Sequence, residues 1–110
     1  MQIGYKIVKL PQHTSCIVFS EDVVVYYPLR EWAEPQLNCG PLCVFRTLQD
    51  AQRWYCRAKF LPRNRRIFKC FFEESDETST WEGRICKTKL DLLPHGTALA
   101  DRVKLIEEVS

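Results

Sequence analysis

The sequence predicts an α+β domain, with one main helix over residues 47–61 packed on a largely antiparallel sheet of five to six strands. Three observations predict it. A short apolar run passes straight into a helical pattern between Gly40 and Ala51. Runs rich in β-branched and aromatic residues lie on both sides of that stretch. Two of those runs are separated by only a few turn residues, which favours a hairpin and therefore antiparallel pairing. At 110 residues the chain suits a single domain over 1–110, long enough to bury roughly 65% of its unfolded surface without staples.

The pivot comes first. Pro41 fixes its own φ and donates no hydrogen bond, so it suits a strand start. Leu42, Cys43, Val44 and Phe45 then form a continuous apolar run, the pattern of a strand buried on both faces. Thr47 is a good N-cap, and Asp50 three residues on completes a variant of the capping box. Leu48, Ala51, Tyr55 and Ala58 recur at helical spacing beside Trp54, while Asp50, Arg53 and Arg57 fall opposite. Pro62 stops the helix near Leu61.

Before the pivot, Ile3 to Val8 alternates and reads as a strand, broken at Pro11. Residues 15–20 and 23–27 read as the two arms of a hairpin. Residues 28–38 read as a loop whose Trp32 anchors it to the core. After the helix, Ile67 to Phe72 is a strand with Phe68, Cys70 and Phe72 on one face. Residues 73–82 read as an exposed acidic loop, 84–90 as a weak strand, 93–97 as a turn, and 102–107 as a last strand with Val103 and Leu105 inward. A parallel crossover from the pivot strand to Ile67–Phe72 would be right-handed.

Composition excludes several classes. Hydrophobic residues are 45% and charged residues 27%, as in ordinary globular domains. A net charge of +2 is too small to imply nucleic acid by itself. No apolar run approaches the roughly 20 residues of a membrane helix, so no membrane partner is expected. Met1 to Leu10 alternates and carries Lys6 and Lys9, unlike a signal peptide, so a cytoplasmic protein is expected. The six cysteines lie mostly in apolar runs and read as free thiols of a reducing compartment. Cys39 and Cys43 would be half a zinc site, but no second half is visible and the histidines are isolated, so no metal is expected. The chain holds no Walker loop, GxGxxG, HExxH, GxSxG or calcium loop.

Two features stand out as candidate sites. Lys59, Arg63, Arg65 and Arg66 belong to a run of bases followed by a run of acids from Glu73 to Glu82. Arginine forks match phosphate and carboxylate geometry, so these four are candidates for an anionic, phosphate-bearing ligand, a nucleotide or nucleic acid. The plainer reading is two solvated runs that neutralise each other across a strand end. The second feature is an aromatic surplus for one small core. Tyr26, Trp32, Phe71 and Trp81 are the candidates for an interaction surface covered by a partner or a second copy. A cysteine enzyme would use Cys39 or Cys43 with His13 or His95, and needs a thiolate that nothing in the sequence activates. The adjacent pairs Glu73–Glu74 and Glu107–Glu108 point to opposite sides of a strand and make no acid–base pair.

The pivot Gly-Pro-Leu-x-Val-Phe-x-Thr-Leu-x-x-Ala (Gly40 to Ala51), with Leu-Pro-x-Gly-Thr-x-Leu-Ala-x-x-Val-Lys-Leu (Leu93 to Leu105), resembles small uncharacterised α+β proteins of phage and environmental genomes. The resemblance implies an α+β fold and an intracellular, viral-type origin, and brings no activity or catalytic residue with it. The expectation is therefore a non-catalytic intracellular binding protein without cofactor, acting as a homo-oligomer or with a protein partner. The alternative is an anion binder through the arginine cluster, and the third reading is a cysteine-dependent enzyme.

Overall fold

The computed structural model describes residues 1–10, 14–15, 25–35, 41–57, 64–81 and 87–109. In chain order these form β1 (Gln2–Lys9), β2 (Thr14–Ser15), β3 (Trp32–Ala33), β4 (Leu42–Phe45), α1 (Leu48–Arg57), β5 (Arg65–Glu74), β6 (Ser79–Trp81), β7 (Lys87–Lys89), a single 3-10 turn at Leu90–Leu92, and β8 (Thr97–Glu108). The α+β class and the antiparallel sheet hold. The sheet, however, closes on itself.

Closure follows from the pairing. β1 pairs with β5 along its whole length, from Gln2 opposite Phe72 to Lys9 opposite Arg65. On its other edge β1 meets β4 through Tyr5 and Phe45. β8 pairs with β4 from Phe45–Thr97 to Leu42–Ala100, and with β5 from Glu74–Ala100 to Phe68–Glu108. The order β1–β4–β8–β5 therefore returns to β1, a small closed barrel rather than an open sheet under a helix. β2 extends β1, and β3 extends β8. The parallel crossover that the pivot and Ile67–Phe72 allow is absent from this ring. β4 and β5 run the same way, but each pairs antiparallel with β1 and β8 and not with the other.

Two devices let so few strands close. Against β5, β8 carries an extra residue twice, Ile106 between the partners of Lys69 and Cys70 and Asp101 between those of Glu73 and Glu74, and such bulges bend a strand and raise its twist. At Gly4 the backbone passes so close to its neighbours that an added Cβ would stand 2.8 Å from the Phe72 ring and 2.9 Å from the Phe45 carbonyl oxygen. Only glycine permits that approach.

Strand alternation then sorts the side chains. Val8, Leu42, Val44, Phe68, Cys70, Phe72, Ala98, Ala100, Val103 and Leu105 fill one cluster inside the ring, joined by Val25, Tyr27 and Ala33. Ile7, Phe45 and Ile67 face the other way, onto α1, where Ala51 is fully buried and Leu48, Trp54 and Tyr55 pack around it. Phe45 and Trp54 hold their ring centroids 5.8 Å apart. The helix thus covers the outside of the barrel at β1, β4 and β5. Its predicted cap is present: the Asp50 N–H donates to Thr47 Oγ1 at 3.1 Å, and the Thr47 hydroxyl donates to Asp50 Oδ2 at 2.8 Å. The described helix ends at Arg57, and its expected end near Leu61 lies outside the described residues.

Other expectations are corrected. The predicted loop 28–38 contains β3, recruited because Trp32 and Ala33 find partners in Lys104 and Val103. The predicted acidic loop 73–82 is largely structured. Glu73 and Glu74 end β5, β6 pairs with β7 from Ser79–Lys89 to Trp81–Lys87, and Ser75 and Thr80 are buried. This segment is tied down by the Ser75 N–H, which donates to the Leu99 carbonyl at 2.8 Å, and by the Thr80 hydroxyl, which donates to the Pro41 carbonyl. The last strand begins at Thr97 instead of Arg102, because Ala98 and Ala100 are the small residues that fit inside the narrow ring. The turn before it was legible: Gly96 takes φ 83° and the Thr97 N–H donates to the Pro94 carbonyl. Most of the predicted 15–20 and 23–27 hairpin lies outside the described residues.

Candidate functional site

The outer face of β1, β5, β8 and β3 carries an aromatic and cationic surface that no single stretch of sequence contains. Directly paired residues on adjacent antiparallel strands share a face. Ile3 is paired with Phe71, Phe71 with Lys104, and Lys104 with Trp32. These four form one row across four strands. The next row on one side is Tyr5, Lys69 and Glu107; on the other it is Glu73 and Arg102. The inward neighbours of this row, Cys70, Phe72, Val103, Leu105 and Ala33, are buried, so the core fixes the outward side chains in place.

Charge on this face is unevenly matched. Arg102 donates from Nε and from a terminal nitrogen to the two carboxylate oxygens of Glu73, both at 2.6 Å. Those hydrogen bonds hold the Glu73 carboxyl below its usual range and raise the Arg102 guanidinium further. The same guanidinium lies 4.2 Å from the Trp32 ring centroid, and the Lys104 ammonium 5.1 Å. Neither Lys104 nor Lys69 makes an ion pair with a described residue. The face therefore offers two rings, Phe71 and Trp32, an arginine neutralised by Glu73, a lysine, Lys69, directly opposite Glu107, and Lys104, which has no carboxylate partner among the described residues.

Of the expected interaction residues, Trp32 and Phe71 are brought together, with Lys104 between them. Tyr26 is 57% exposed, but it belongs to no pairing in this row. Trp81 lies in β6, away from these strands. Of the anion cluster, Lys59 and Arg63 lie outside the described residues. Arg65 stacks 4.3 Å from the Tyr55 ring centroid and donates to the Tyr55 carbonyl at 3.0 Å, while the Tyr55 hydroxyl donates back to the Arg65 carbonyl at 3.4 Å. This reciprocal clamp fastens the last turn of α1 to β5, where a cation also complements the helix end. Arg66 donates to the Arg65 carbonyl at 2.8 Å. Lys9 is paired with Arg65 across β1 and β5, so like charges meet at this end of the barrel.

Lys69, Arg102 and Lys104 are the residues that sequence reasoning missed. The signal was present in part: Arg102 and Lys104 alternate with Val103 and Leu105, so they share the outer face of the last strand. What placed them beside Phe71 and Trp32 was pairing between distant strands, and that was not legible.

Inside the ring, Lys6 shares the parity of Gly4 and Val8. Its ammonium donates to the Cys43 carbonyl at 2.7 Å and lies 5.2 Å from the Tyr27 ring centroid. Cys70 is buried nearby, and burial pushes its thiol up to about 12, opposite to what a nucleophile needs. Cys43 is half-buried in β4 opposite Leu99, and Cys39 lies outside the described residues. Among the described residues no three metal-ligating side chains come together, and no helix is long and apolar enough to cross a membrane.

Among the described residues, the fold and this face define a small closed β-barrel with one external α-helix and an aromatic outer surface of mixed charge. No protein-family model matches the chain, nor does any curated protein or solved structure.

Proposed function

We propose that the protein is a non-catalytic binding protein of the cell interior whose contact surface is the outer barrel face centred on Lys104. The observation that carries this reading is the placement of Lys104 between Phe71 and Trp32, with its ammonium over the Trp32 ring and without a carboxylate partner among the described residues. Aromatic rings and cations fixed on a rigid sheet are the components of a recognition surface, because little entropy is lost when a partner orders them. Catalysis finds less support: the buried thiol is held protonated, and the paired acids Glu73 and Glu74 each belong to an ion pair with an arginine.

The test compares native mass and absorbance of the protein purified from expressing cells with those of Lys104→Glu. Co-purifying mass or excess ultraviolet absorbance that is lost in the variant supports the reading. Bound material that survives Lys104→Glu contradicts it.

A second reading, an anion held at the barrel end, draws on the pairing of Lys9 with Arg65. The pairing brings two cations to one end of the barrel, with Arg66 next along β5. Loss of bound phosphate-bearing material in Arg66→Gln, with Lys104→Glu unaffected, would favour it.

A further inference from the structure

We infer that the ligand of this face is single-stranded nucleic acid, a step that rests on the binding reading above. Proteins that hold single strands without reading sequence combine a cationic track for the backbone with rings on which bases stack. The face supplies the rings in Phe71 and Trp32 and the cation in Lys104 between them. Phe71 and Trp32 stand two strand spacings apart, roughly 10 Å, on either side of Lys104. The Arg102 guanidinium stacks on Trp32, and bases pack on guanidinium planes as well as on aromatic rings. Glu73 takes up the Arg102 charge, so its role is orientation, while Lys104 supplies the charge for phosphates and Lys69 lies opposite Glu107.

The same features disfavour the other occupants. A second copy docked through this patch would bury the charged side chains of Lys69, Glu73, Arg102, Lys104 and Glu107 on both sides, and their desolvation opposes such an interface. A duplex offers its phosphates but shields the base faces, so the rings would have nothing to stack on. The convex outer face of a small barrel suits a strand that lies across it with its bases turned inward.

The experiment is fluorescence anisotropy of a labelled oligothymidylate of about twelve nucleotides, with a duplex of equal length as competitor. The wild-type protein should bind the single strand in preference to the duplex. With one lysine–phosphate contact at Lys104, affinity should fall about threefold between roughly 50 and 200 mM salt. Phe71→Ala should weaken binding about tenfold or more, as loss of one stacking platform does. Lys104→Gln should weaken binding and flatten the salt dependence, while Arg53→Gln, on the exposed side of α1, should change neither. Thermal melting confirms that each variant is folded, and the exposed Lys104 substitution carries the test if Phe71→Ala is not. Equal affinity for duplex and single strand overturns the inference, as does loss of binding in Arg66→Gln without loss in Lys104→Gln. Absence of oligonucleotide binding, with a native mass that still drops in Lys104→Glu, assigns the face to a protein partner: the ligand class falls and the binding reading stands. If neither assay responds to Lys104, both fall.

Discussion

Arg102 is pinned to Glu73 by two hydrogen bonds of 2.6 Å across β5 and β8, and in that pose its guanidinium lies over Trp32 of β3. One ion pair thus links three strands on the outside of the barrel. Its strength is not the point, since the pair is open to solvent and such pairs contribute little to stability. Its effect is positional: the guanidinium is held 4.2 Å from the indole centroid on a rigid sheet.

The acid response follows from this pair and its neighbour. Arg102 lowers the Glu73 carboxyl, and hydrogen bonds from Arg46 and then Gln2 lower Glu74. A carboxylate whose folded value is depressed stabilises the fold above its ordinary value of about 4.5, and that contribution is lost as pH falls through the folded value. Stability should therefore be flat near neutrality and decline below about pH 4.5. Melting curves of Glu73→Gln should show a shallower decline than wild type, and the Trp32 indole N–H should shift in its NMR spectrum as Arg102 is released. An unchanged acid limb in Glu73→Gln contradicts this.

Barrel closure depends on Gly4. A methyl group there would meet the Phe72 ring at 2.8 Å and the Phe45 carbonyl oxygen at 2.9 Å. The ring is packed in the core, so neither neighbour moves freely. Gly4→Ala should cost about 1–3 kcal/mol, as overpacking does, measured by urea unfolding. A neutral substitution would mean that β1 stands farther from β5 and β4 than described.

The helix start is a separate and smaller contribution. Thr47→Ala removes the acceptor for the Asp50 N–H and the donor to its carboxylate. The expected loss is about 1 kcal/mol. Thr47→Ser, which keeps the oxygen, should recover most of it.

The elements were legible where local chemistry decides them. Pro41, the run Leu42 to Phe45 and the Thr47–Asp50 cap fix a strand and a helix start within one turn, with no help from distant residues. Alternation likewise put Phe68, Cys70 and Phe72 on one face and Val103 and Leu105 inward. Closure was not legible, because it rests on β1 and β8 each pairing with both β4 and β5, and pairing between distant strands leaves no local pattern. β3 escaped for the same reason: Trp32 and Ala33 become a strand only because Lys104 and Val103 lie beside them. The candidate face was half legible. Trp32 and Phe71 stood out as surplus rings, but the lysine between them lies far from both in sequence. Arg65 read as a ligand-seeking base, whereas the fold uses it against Tyr55.

Thiol chemistry separates the described cysteines. Cys56 is exposed on α1, Cys43 is half-buried, and Cys70 is fully buried with its thiol pushed up to about 12. Alkylation of the native protein followed by mass spectrometry should label Cys56 first and Cys70 only after unfolding. Fast labelling of Cys70 in the native protein would contradict the closed core.

The measurement that tests the central claim most directly is an amide and indole NMR map of the protein titrated with oligothymidylate. Shifts are expected at Ile3, Lys69, Phe71, Arg102 and Lys104, together with the Trp32 indole, while Lys9, Arg65 and Arg66 stay in place. Shifts confined to Lys9, Arg65 and Arg66, or no shifts on the outer face at all, would contradict it.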